Sequence, residues 1–567
     1  MGFDAPWHTV CIHLGPPGVV RSLESDGEGE SGAWGASGWG GSELKRGEAE
    51  GPKQSEKVSW SSGVLEVALI ATLTRPPSLS GEELTALPEA VSFVEVRADQ
   101  VGGVDPGVLR RHFTGKLIYS LRSRREGGSF DGELAARHER LIAAAEQYDR
   151  VDLEAERDLV PRVLERIPAE RRVISWHGAA AGPWDYRGQL GALDRAAAWL
   201  YRMVPTVTRT AEALAALEVL AELGRRDLTA FAAGQAGTWT SILAPRLGAP
   251  VAFGAVELRE PGAGEISAAQ LVADYGLPEL GPVRELFGVV GSTVSRSLSP
   301  RLHNAAYRAA SVPALYLPFS AERFEDLWSA EVRAGLAALG MPLKGLTVTS
   351  PHKEAALAAA AVASPIARRA GAANLLVQRG RSWLATTTDP EGVLSPLRAR
   401  RVDVARRRVA VVGCGGAGRA AAAAFDRAGA EVTLVNRGLE RARFASSLLG
   451  LPFVPLADFA AGDYAIVVNA TPCAGHGGEF PFDVRGLARG ALVIDLVYRA
   501  APTPLVHAAE ALGHTAIDGR EVLLVEARRQ FHLMTGRPMA AGAARKLLDG
   551  HGNERADRPA ERRKLTA

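Results

Sequence analysis

Eight short runs rich in β-branched and aromatic residues recur between Val64 and Phe253, about 20–30 residues apart. Stretches rich in Ala, Leu, Arg and Glu separate most of them, and this composition is typical of helices. Eight strand–helix units of this kind predict a closed (β/α)8 TIM barrel within an α/β protein. The runs read LEVALIATL, VSFVEV, KLIYSL, VDL, RVISW, YRMV, LTAF and VAFGAV.

Charged residues stand at the ends of several of these predicted strands. In a TIM barrel, the carboxyl ends of the strands carry the active site. Any one of these residues alone is compatible with a surface role, but their recurrence at corresponding positions favours a site. They are Glu95, Arg97, Arg122, Glu154 and His177.

A glycine-rich turn follows the apolar segment 409–412 and precedes an alanine-rich stretch. Gly413, Gly415 and Gly418 fit the G-x-G-x-x-G pattern in the strand–turn–helix context that this pattern requires. The glycines allow a tight turn, approach of the backbone to a pyrophosphate, and close packing of helix on strand, while the helix N-terminus faces the phosphate charge. The pattern predicts a Rossmann dinucleotide-binding domain.

The next apolar run ends at Asn436 and Arg437, with Arg441 four residues further on. NAD enzymes usually carry an acidic residue here for the ribose 2′-hydroxyl. A neutral residue followed by arginines suits a 2′-phosphate, which a guanidinium binds through paired hydrogen bonds. We therefore expect NADP rather than NAD.

The region from about residue 285 to 548 resembles shikimate dehydrogenase through a series of short motifs. This resemblance implies a substrate-binding domain followed by the Rossmann domain, and reduction of 3-dehydroshikimate to shikimate on the route to chorismate and the aromatic amino acids. The motifs read GSTVSRSLSPRLHN (291–304), KGLTVTSPHK (344–353), GAAN (371–374), TTDPEG (387–392), NATPCAG (469–475) and DGREVLLVEARRQF (518–531).

The resemblance assigns the chemistry to Lys353 and Asp389. A lysine ammonium can stabilise the developing alkoxide and relay a proton, and a nearby carboxylate keeps it oriented. Without the surrounding motifs, such a pair would be interpreted as a surface ion pair. The implied substrate-binding residues are Ser297, Ser299, Thr349, Asn374, Tyr498, Glu526 and Gln530. The implied cofactor-binding residues are Gly413, Gly415, Gly416, Gly418, Asn436, Arg437, Arg441, Asn469, Thr471 and Gly519.

Four positions depart from the family pattern. Thr347 and Thr387 replace asparagines, and Gly438 replaces a threonine next to the predicted 2′-phosphate site. Glu526 stands where the family has a substrate-binding glutamine, so a negative charge is introduced beside a carboxylate substrate. The change at Glu526 is expected to weaken substrate binding or alter substrate preference.

The barrel half resembles type I 3-dehydroquinate dehydratase through VEVRAD, LRSRREGG, VDLE and ISWH. That family forms a Schiff base on a lysine at the end of strand six, where this chain has Arg202. An arginine stays protonated and cannot form the iminium. Lys116, the only lysine between residues 63 and 280, begins strand three and is expected at the opposite end of the barrel.

Two further parts of the dehydratase site are changed. A serine–arginine pair of the family reads Thr240-Ser241, and a glutamine loop is altered around residues 263–265. We expect Glu95, Arg97, Arg122, Glu154, His177 and Arg202 to form a degenerate site without Schiff-base catalysis.

Three alternatives remain open at this point. The chain is a fully bifunctional dehydratase–dehydrogenase, a quinate dehydrogenase, or a non-catalytic protein that binds intermediates of the pathway. The intact glycine turn and the Lys353–Asp389 pair disfavour the last alternative, because a pure binding protein has no need of a cofactor site.

The net charge of +2 gives no reason to expect nucleic acid or membrane partners. Three scattered cysteines provide neither a disulfide framework nor a metal site, which suits the cytoplasm. The oligomeric state is left open. The expected organisation is a disordered extension (1–62), the barrel (63–280), the substrate domain (285–395), the Rossmann domain (396–520), C-terminal helices returning to the substrate domain (521–550) and a charged tail (551–567).

Overall fold

The computed structural model describes residues 67–78, 81–178, 184–257, 264–475, 479–499 and 501–549. All of them belong to one compact unit that begins at Glu56. The predicted disordered extension (1–62) and charged tail (551–567) lie outside the described residues. Within the described ranges, every helix is too short or too polar to span a bilayer.

The amino-terminal part is an eight-stranded parallel barrel, as predicted. The first seven strands pair in sequence order, and the eighth pairs with the first. Most strand residues are buried, as is typical of parallel sheets that are covered on both faces. The seventh and eighth strands end the hydrogen-bonded order, and the rings of Phe231 and Phe253 meet between them at 5.8 Å. The strands are β1 (Ala68–Leu73), β2 (Val91–Arg97), β3 (Lys116–Ser120), β4 (Arg150–Glu154), β5 (Arg172–His177), β6 (Leu200–Val204), β7 (Leu228–Ala230) and β8 (Val251–Ala255).

Helices of uneven length connect these strands. They are α1 (Glu82–Thr85), α2 (Ala98–Val101), α3 (Pro106–Arg110), α4 (Leu134–Gln147), α5 (Pro161–Leu164), α6 (Tyr186–Leu193), α7 (Thr210–Leu223), α8 (Thr238–Leu243) and α9 (Ala268–Gln270).

The second part opens with a mixed six-stranded sheet in the order β10-β9-β11-β13-β14-β12, where β13 runs antiparallel to both neighbours. Its strands are β9 (Glu285–Gly291), β10 (Ala314–Ser320), β11 (Leu343–Val348), β12 (Val362–Ala363), β13 (Leu375–Arg379) and β14 (Ser382–Thr386). Its helices are α10 (Ser299–Ala309), α11 (Phe324–Trp328), α12 (Ala330–Ala338), α13 (Lys353–Ala358), α14 (Pro365–Ala370) and α15 (Asp389–Ala399).

A parallel sheet in the order β17-β16-β15-β18-β19-β20 follows, which is the order of a Rossmann fold. The order of the strands reverses between β15 and β18, because β16 and β17 lie on one side of β15 and the later strands lie on the other. Ligands of such sheets bind in the crevice at that point. The elements are β15 (Arg408–Val412), β16 (Glu431–Asn436), β17 (Phe453–Pro455), β18 (Ile466–Asn469), β19 (Leu492–Asp495) and β20 (Thr515–Ile517), with α16 (Gly416–Arg427), α17 (Leu439–Leu449) and α18 (Pro504–Ala511).

Two last helices, α19 (Gly519–Thr535) and α20 (Ala541–Asp549), return to the preceding mixed sheet. On α19, Phe531 is fully buried and its ring lies 5.4 Å from that of Tyr307. The same helix packs along α15. It therefore brings its own side chains to the amino-terminal end of α15, where Asp389 lies.

The barrel and the mixed sheet share one hydrophobic core. Trp239 of α8 is fully buried, and its ring lies 5.5 Å from Phe319 of β10. Gly335 of α12 faces α7 so closely that an added Cβ would lie 2.2 Å from Leu214. Arg301 also forms an ion pair with Asp274 across this junction. The barrel therefore packs directly against the part of the protein that contains the mixed sheet.

Replacing Trp239 by alanine is expected to lower the free energy of unfolding by about 3–5 kcal/mol, because a large buried aromatic side chain leaves a cavity. Urea-induced unfolding followed by circular dichroism measures the loss. Leu512→Ala is the control, since this leucine is 49 % exposed and its removal is expected to cost less than about 0.5 kcal/mol. Equal losses for both variants would contradict the shared core.

Candidate active site

The centre of the dehydrogenase half is an ion pair between Lys353 and Asp389. The Lys353 Nζ donates to both carboxylate oxygens of Asp389, at 2.8 and 2.9 Å. The side chains are 16 % and 5 % exposed, so the pair faces a cavity rather than bulk solvent. Such geometry is unlike a mobile surface ion pair and leaves the ammonium able to reach a bound ligand.

Neighbouring polar groups hold Asp389 in place. It is the first residue of α15, where a carboxylate is favoured by the helix dipole. The Thr387 hydroxyl donates to Asp389 at 2.9 Å, and the Asn374 amide donates to it at 3.1 Å. Asn374 also accepts from the Thr388 backbone at 2.8 Å. The carboxylate therefore has a fixed orientation before any ligand binds.

Gln530 extends this network from α19. Its Nε2 donates to the Thr388 hydroxyl at 3.0 Å, and its side chain also contacts the buried ring of His303. Gln530 lines the substrate cavity as well. It therefore links α19 to the polar network around Asn374 and Asp389.

The Lys353–Asp389 pair lies where two cavities meet. One cavity, of about 660 Å³, is bounded by β9, α10 and β11 and by α19. It gathers all the sequence-predicted substrate-binding residues, namely Ser297, Ser299, Thr349, Asn374, Tyr498, Glu526 and Gln530.

The other cavity, of about 350 Å³, lies at the glycine turn. Gly413 has a φ of +106°, and a Cβ on Gly418 would lie 1.8 Å from the Gly413 carbonyl oxygen. Gly415 has open space where a side chain would stand. The turn therefore offers bare backbone at the amino-terminal end of α16, as a pyrophosphate requires.

Only some of the predicted cofactor residues line this second cavity. They are Gly415, Gly416, Arg441, Thr471 and Gly519. Asn436 instead supports the turn, accepting from the Cys414 backbone at 3.1 Å and donating to the Gly438 carbonyl at 2.8 Å. Arg437 is exposed beside the cavity. Asn469 is buried beneath Thr471 and donates to Asp495 at 2.9 Å.

Two of the departures from the family pattern have structural partners. The Thr347 hydroxyl bonds the Tyr316 hydroxyl and donates to the Gly288 carbonyl at 3.3 Å. Thr387 donates to Asp389, as described above. Glu526 differs from these two threonines because it is a buried ionisable group. Burial and then the neighbouring charge of Asp389 raise its pKa to about 8, although Lys353 acts in the opposite direction.

The barrel has its own cavity, of about 290 Å³, at the carboxyl ends of the strands. Five of the six predicted residues line it: Glu95, Arg97, Arg122, His177 and Arg202. The sixth, Glu154, is not among its lining residues and instead accepts from the Ser123 backbone and hydroxyl at 2.6 and 2.8 Å.

Arg202 is locked between two carboxylates inside the barrel. It donates to Glu95 at 2.8 Å and to Asp152 at 2.5 Å, and its side chain is 3 % exposed. Burial alone would raise the pKa of Glu95. The charges of Arg202, Arg122 and Arg97 outweigh it and lower this pKa to about 2. The guanidinium is therefore a fixed counter-ion at the position where the resemblance places a nucleophile.

Two residues of the barrel site were missed by the sequence analysis. Glu126 lies 2.9 Å from the His177 Nδ1 and also accepts from the His177 backbone. Burial, followed by nearby Arg122 and Arg202, holds the pKa of His177 well below its ordinary value, so the ring is neutral. Asp152, the partner of Arg202, was also missed. The E-G-G and V-D-L-E motifs were the signals that could have identified both.

The other sequence predictions for the barrel fit this geometry. Lys116 begins β3 and is exposed, with its ammonium 5.9 Å from the Phe93 ring, so it lies at the opposite end from the cavity. Thr240 is buried and accepts from the Ala232 backbone at 2.8 Å. Ser241 lines the cavity but supplies no charge. Residue 263 lies outside the described residues.

Comparison with known proteins agrees with both halves. Residues 78–280 match the family model for type I 3-dehydroquinase, and residues 289–376 match that for the shikimate dehydrogenase substrate binding domain. The shikimate dehydrogenase (NADP(+)) of Syntrophobacter fumaroxidans is 36 % identical over 263 residues, covering 45 % of this chain and 88 % of that protein. The chain belongs to the shikimate dehydrogenase family.

Relatives that contain both halves are also found. The bifunctional 3-dehydroquinate dehydratase/shikimate dehydrogenase of Arabidopsis thaliana is 26 % identical over 477 residues, covering 79 % of this chain and 78 % of that protein. A solved structure of dehydroquinate dehydratase and shikimate dehydrogenase from S. pombe is 20 % identical, with a TM-score of 0.38, and covers 85 % of this chain and 98 % of that one. Dehydroquinase and shikimate dehydrogenase domains are both present in this chain. No cluster of metal-ligating side chains occurs in the part of the chain that the structure describes.

Replacing Arg202 by methionine is expected to lower the free energy of unfolding by about 3–5 kcal/mol, because Glu95 and Asp152 would stay buried and lose the cation that donates hydrogen bonds to both. The deficit is largest at neutral pH. It shrinks in acid, because the wild type loses the stability linked to the lowered pKa of Glu95 as pH falls from about 4.5 toward about 2. Thermal unfolding from about pH 7 to about pH 3 measures this dependence.

Arg124→Met is the matched control for this prediction. Arg124 forms an ion pair with Asp131 at 3.0 Å, but both side chains are about two-thirds exposed. Its loss is expected to cost less than about 1 kcal/mol at any pH. A deficit for Arg202→Met that stays constant or grows in acid would contradict the assigned role of the two carboxylates.

Proposed function

We propose that this protein is an NADP-dependent shikimate dehydrogenase that reduces 3-dehydroshikimate to shikimate, and that its barrel has lost Schiff-base catalysis. The observation that carries the first part is the Lys353–Asp389 pair at the junction of two cavities. One cavity presents bare backbone for a dinucleotide and the other presents hydroxyls and amides for a polyhydroxy carboxylate.

The chain's own groups supply binding, orientation and the proton. Ser297 and Ser299 offer hydroxyls to the substrate carboxylate, while Asn374 and Gln530 face the ring hydroxyls. The Lys353 ammonium stabilises the alkoxide that develops at the carbonyl oxygen and donates a proton to it. Asp389 keeps the ammonium in position. When bound, the nicotinamide supplies the hydride.

The cofactor site fits NADP. The turn at Gly415 and the amino-terminal end of α16 suit a pyrophosphate, and Arg441 lines the same cavity, where its guanidinium can bind a 2′-phosphate. β16 ends at Asn436 and Arg437 follows, where an NAD enzyme usually has an acidic residue for the ribose 2′-hydroxyl. The relative from S. fumaroxidans is a shikimate dehydrogenase (NADP(+)), which also supports NADP.

Lys353→Met is expected to lower kcat about 10²–10⁴-fold, because the proton donor is lost while the length of the side chain is kept. The rate of NADP reduction by shikimate, followed by NADPH absorbance, measures this loss. Binding of NADP, followed by fluorescence, is expected to persist because the glycine turn is unchanged.

Lys344→Met is the matched control, since Lys344 lies on β11 of the same segment but outside both cavities. Its kcat is expected to equal that of the wild type. If Lys353→Met retains wild-type kcat, the assignment of the proton donor is wrong. If the wild type binds NADP but turns over neither shikimate nor quinate, the protein is a binding protein and not this enzyme.

The barrel retains a charged cavity, and no lysine of the described residues lines it. Within the described part of the barrel, Lys116 is the only lysine, and it lies at the opposite end. A Schiff base requires a deprotonated amine, and Arg202 is held protonated between two carboxylates. The fully bifunctional alternative would therefore need a mechanism without an iminium.

Treatment of the full chain with 3-dehydroquinate and borohydride is expected to give no covalent adduct in the barrel, because no imine forms for reduction. Mass spectrometry of the intact protein and its peptides measures the adduct. An ordinary type I dehydratase, which has the lysine, is the positive control. An adduct that maps to the barrel would contradict the proposed loss of Schiff-base chemistry.

A further inference from the structure

A second carboxyl group lies beside the Lys353–Asp389 pair. Both oxygens of Asp389 are already engaged by the single ammonium of Lys353. Glu526 reaches the same place from α19 and lines both cavities. Where Glu526 meets Asp389, two carboxyl groups share one ammonium, and a second buried negative charge at that point is unfavourable.

The contact between α15 and α19 brings the two carboxyl groups together. A Cβ on Gly392 would lie 2.8 Å from Oε1 of Glu526, so only a glycine leaves room for this carboxyl against the first turns of α15. Asp389 lies one turn earlier on the same face. The Glu526 side chain is thus seated beside Asp389 by the packing of the helices.

Other charged groups also surround Glu526, and Arg296 is one of those that line the substrate cavity with it. On α15, Glu391 is a further carboxylate, whose own partner is Arg529 at 3.6 Å. From the segment after β19, Tyr498 faces the same cavity, and burial raises its pKa. Arg499 lines the substrate cavity too, but the charges that act most strongly on Glu526 are those of Asp389, Lys353 and Glu391.

We infer that Glu526 binds the substrate as a neutral carboxyl group that shares its proton with Asp389, so that affinity for the substrate is lost when this pair gives up the proton. The inference rests on the proposed dehydrogenase function. A protonated Glu526 donates its one O–H to Asp389 and keeps a carbonyl acceptor for the substrate, whereas a carboxylate only accepts. It also avoids placing a second negative charge beside a carboxylate substrate.

The consequence is a pH-dependent specificity constant. Glu526 has a pKa of about 8, so the neutral form prevails below that pH. Above it, the KM for shikimate is expected to rise toward about tenfold per pH unit, because only the protonated fraction is competent to bind. Glu526→Gln keeps the donor and acceptor without titrating, so its KM is expected to stay flat over the same range.

The kinetic test compares KM and kcat for shikimate in the wild type, Glu526→Gln and Glu391→Gln between about pH 6 and about pH 10. Glu391→Gln removes a neighbouring carboxylate that lines neither cavity, and it is expected to keep the rise in KM with its onset moved slightly to lower pH, because Glu391 is one of the charges that raise the pKa of Glu526. A wild-type KM that is flat through about pH 8, or a Glu526→Gln profile that still rises, would overturn the inference.

A second measurement does not need activity and separates this inference from the proposed function. A carboxyl whose pKa is raised in the folded state lowers stability as pH rises from its ordinary pKa toward the folded value. The thermal midpoint of Glu526→Gln, relative to the wild type, is therefore expected to rise from about pH 5 to about pH 8 and then level off. A constant difference would overturn the inference even if the enzyme turns over shikimate. A rising difference without turnover would sustain the shared proton and reject the proposed function.

Discussion

Pairing of buried charges is the constraint on which both halves of this protein depend. In the dehydrogenase half, Lys353 and Asp389 neutralise each other while the ammonium remains open to two cavities. In the barrel, Arg202 is matched by Glu95 and Asp152 and is closed off by them. Under the proposed function, the same physical requirement gives a proton donor in one site and a fixed counter-ion in the other.

The packing of the two halves explains why a barrel without Schiff-base catalysis would be retained. The Trp239–Phe319 contact and the close approach of α7 and α12 place barrel residues inside the core of the dehydrogenase half. Loss of a catalytic lysine costs such a domain no stability if the replacing arginine finds partners. Loss of the barrel itself would expose the apolar surface of the mixed sheet to water.

The sequence predicted the barrel, the Rossmann turn and the catalytic pair because each depends on a local pattern. The eight apolar runs become β1–β8, and the glycine spacing becomes the tight turn at Gly413. Residues that act through a distant partner were not predictable. Asn436 supports the turn rather than lining the cavity, and Glu154 accepts hydrogen bonds from Ser123. Glu126 contacts His177, but its motif alone did not identify it as a site residue. These outcomes depend on which side chains meet across neighbouring strands.

Under the proposed function, the Lys353–Asp389 site reduces its substrate and the barrel cavity does not carry out dehydration. Supplying the full chain with 3-dehydroquinate and NADPH, and identifying the product by mass spectrometry, tests this central claim most directly. The account predicts no shikimate from 3-dehydroquinate, and rapid formation of shikimate with consumption of NADPH once 3-dehydroshikimate is supplied instead. Formation of shikimate from 3-dehydroquinate alone would contradict it, because the barrel would then have carried out the dehydration.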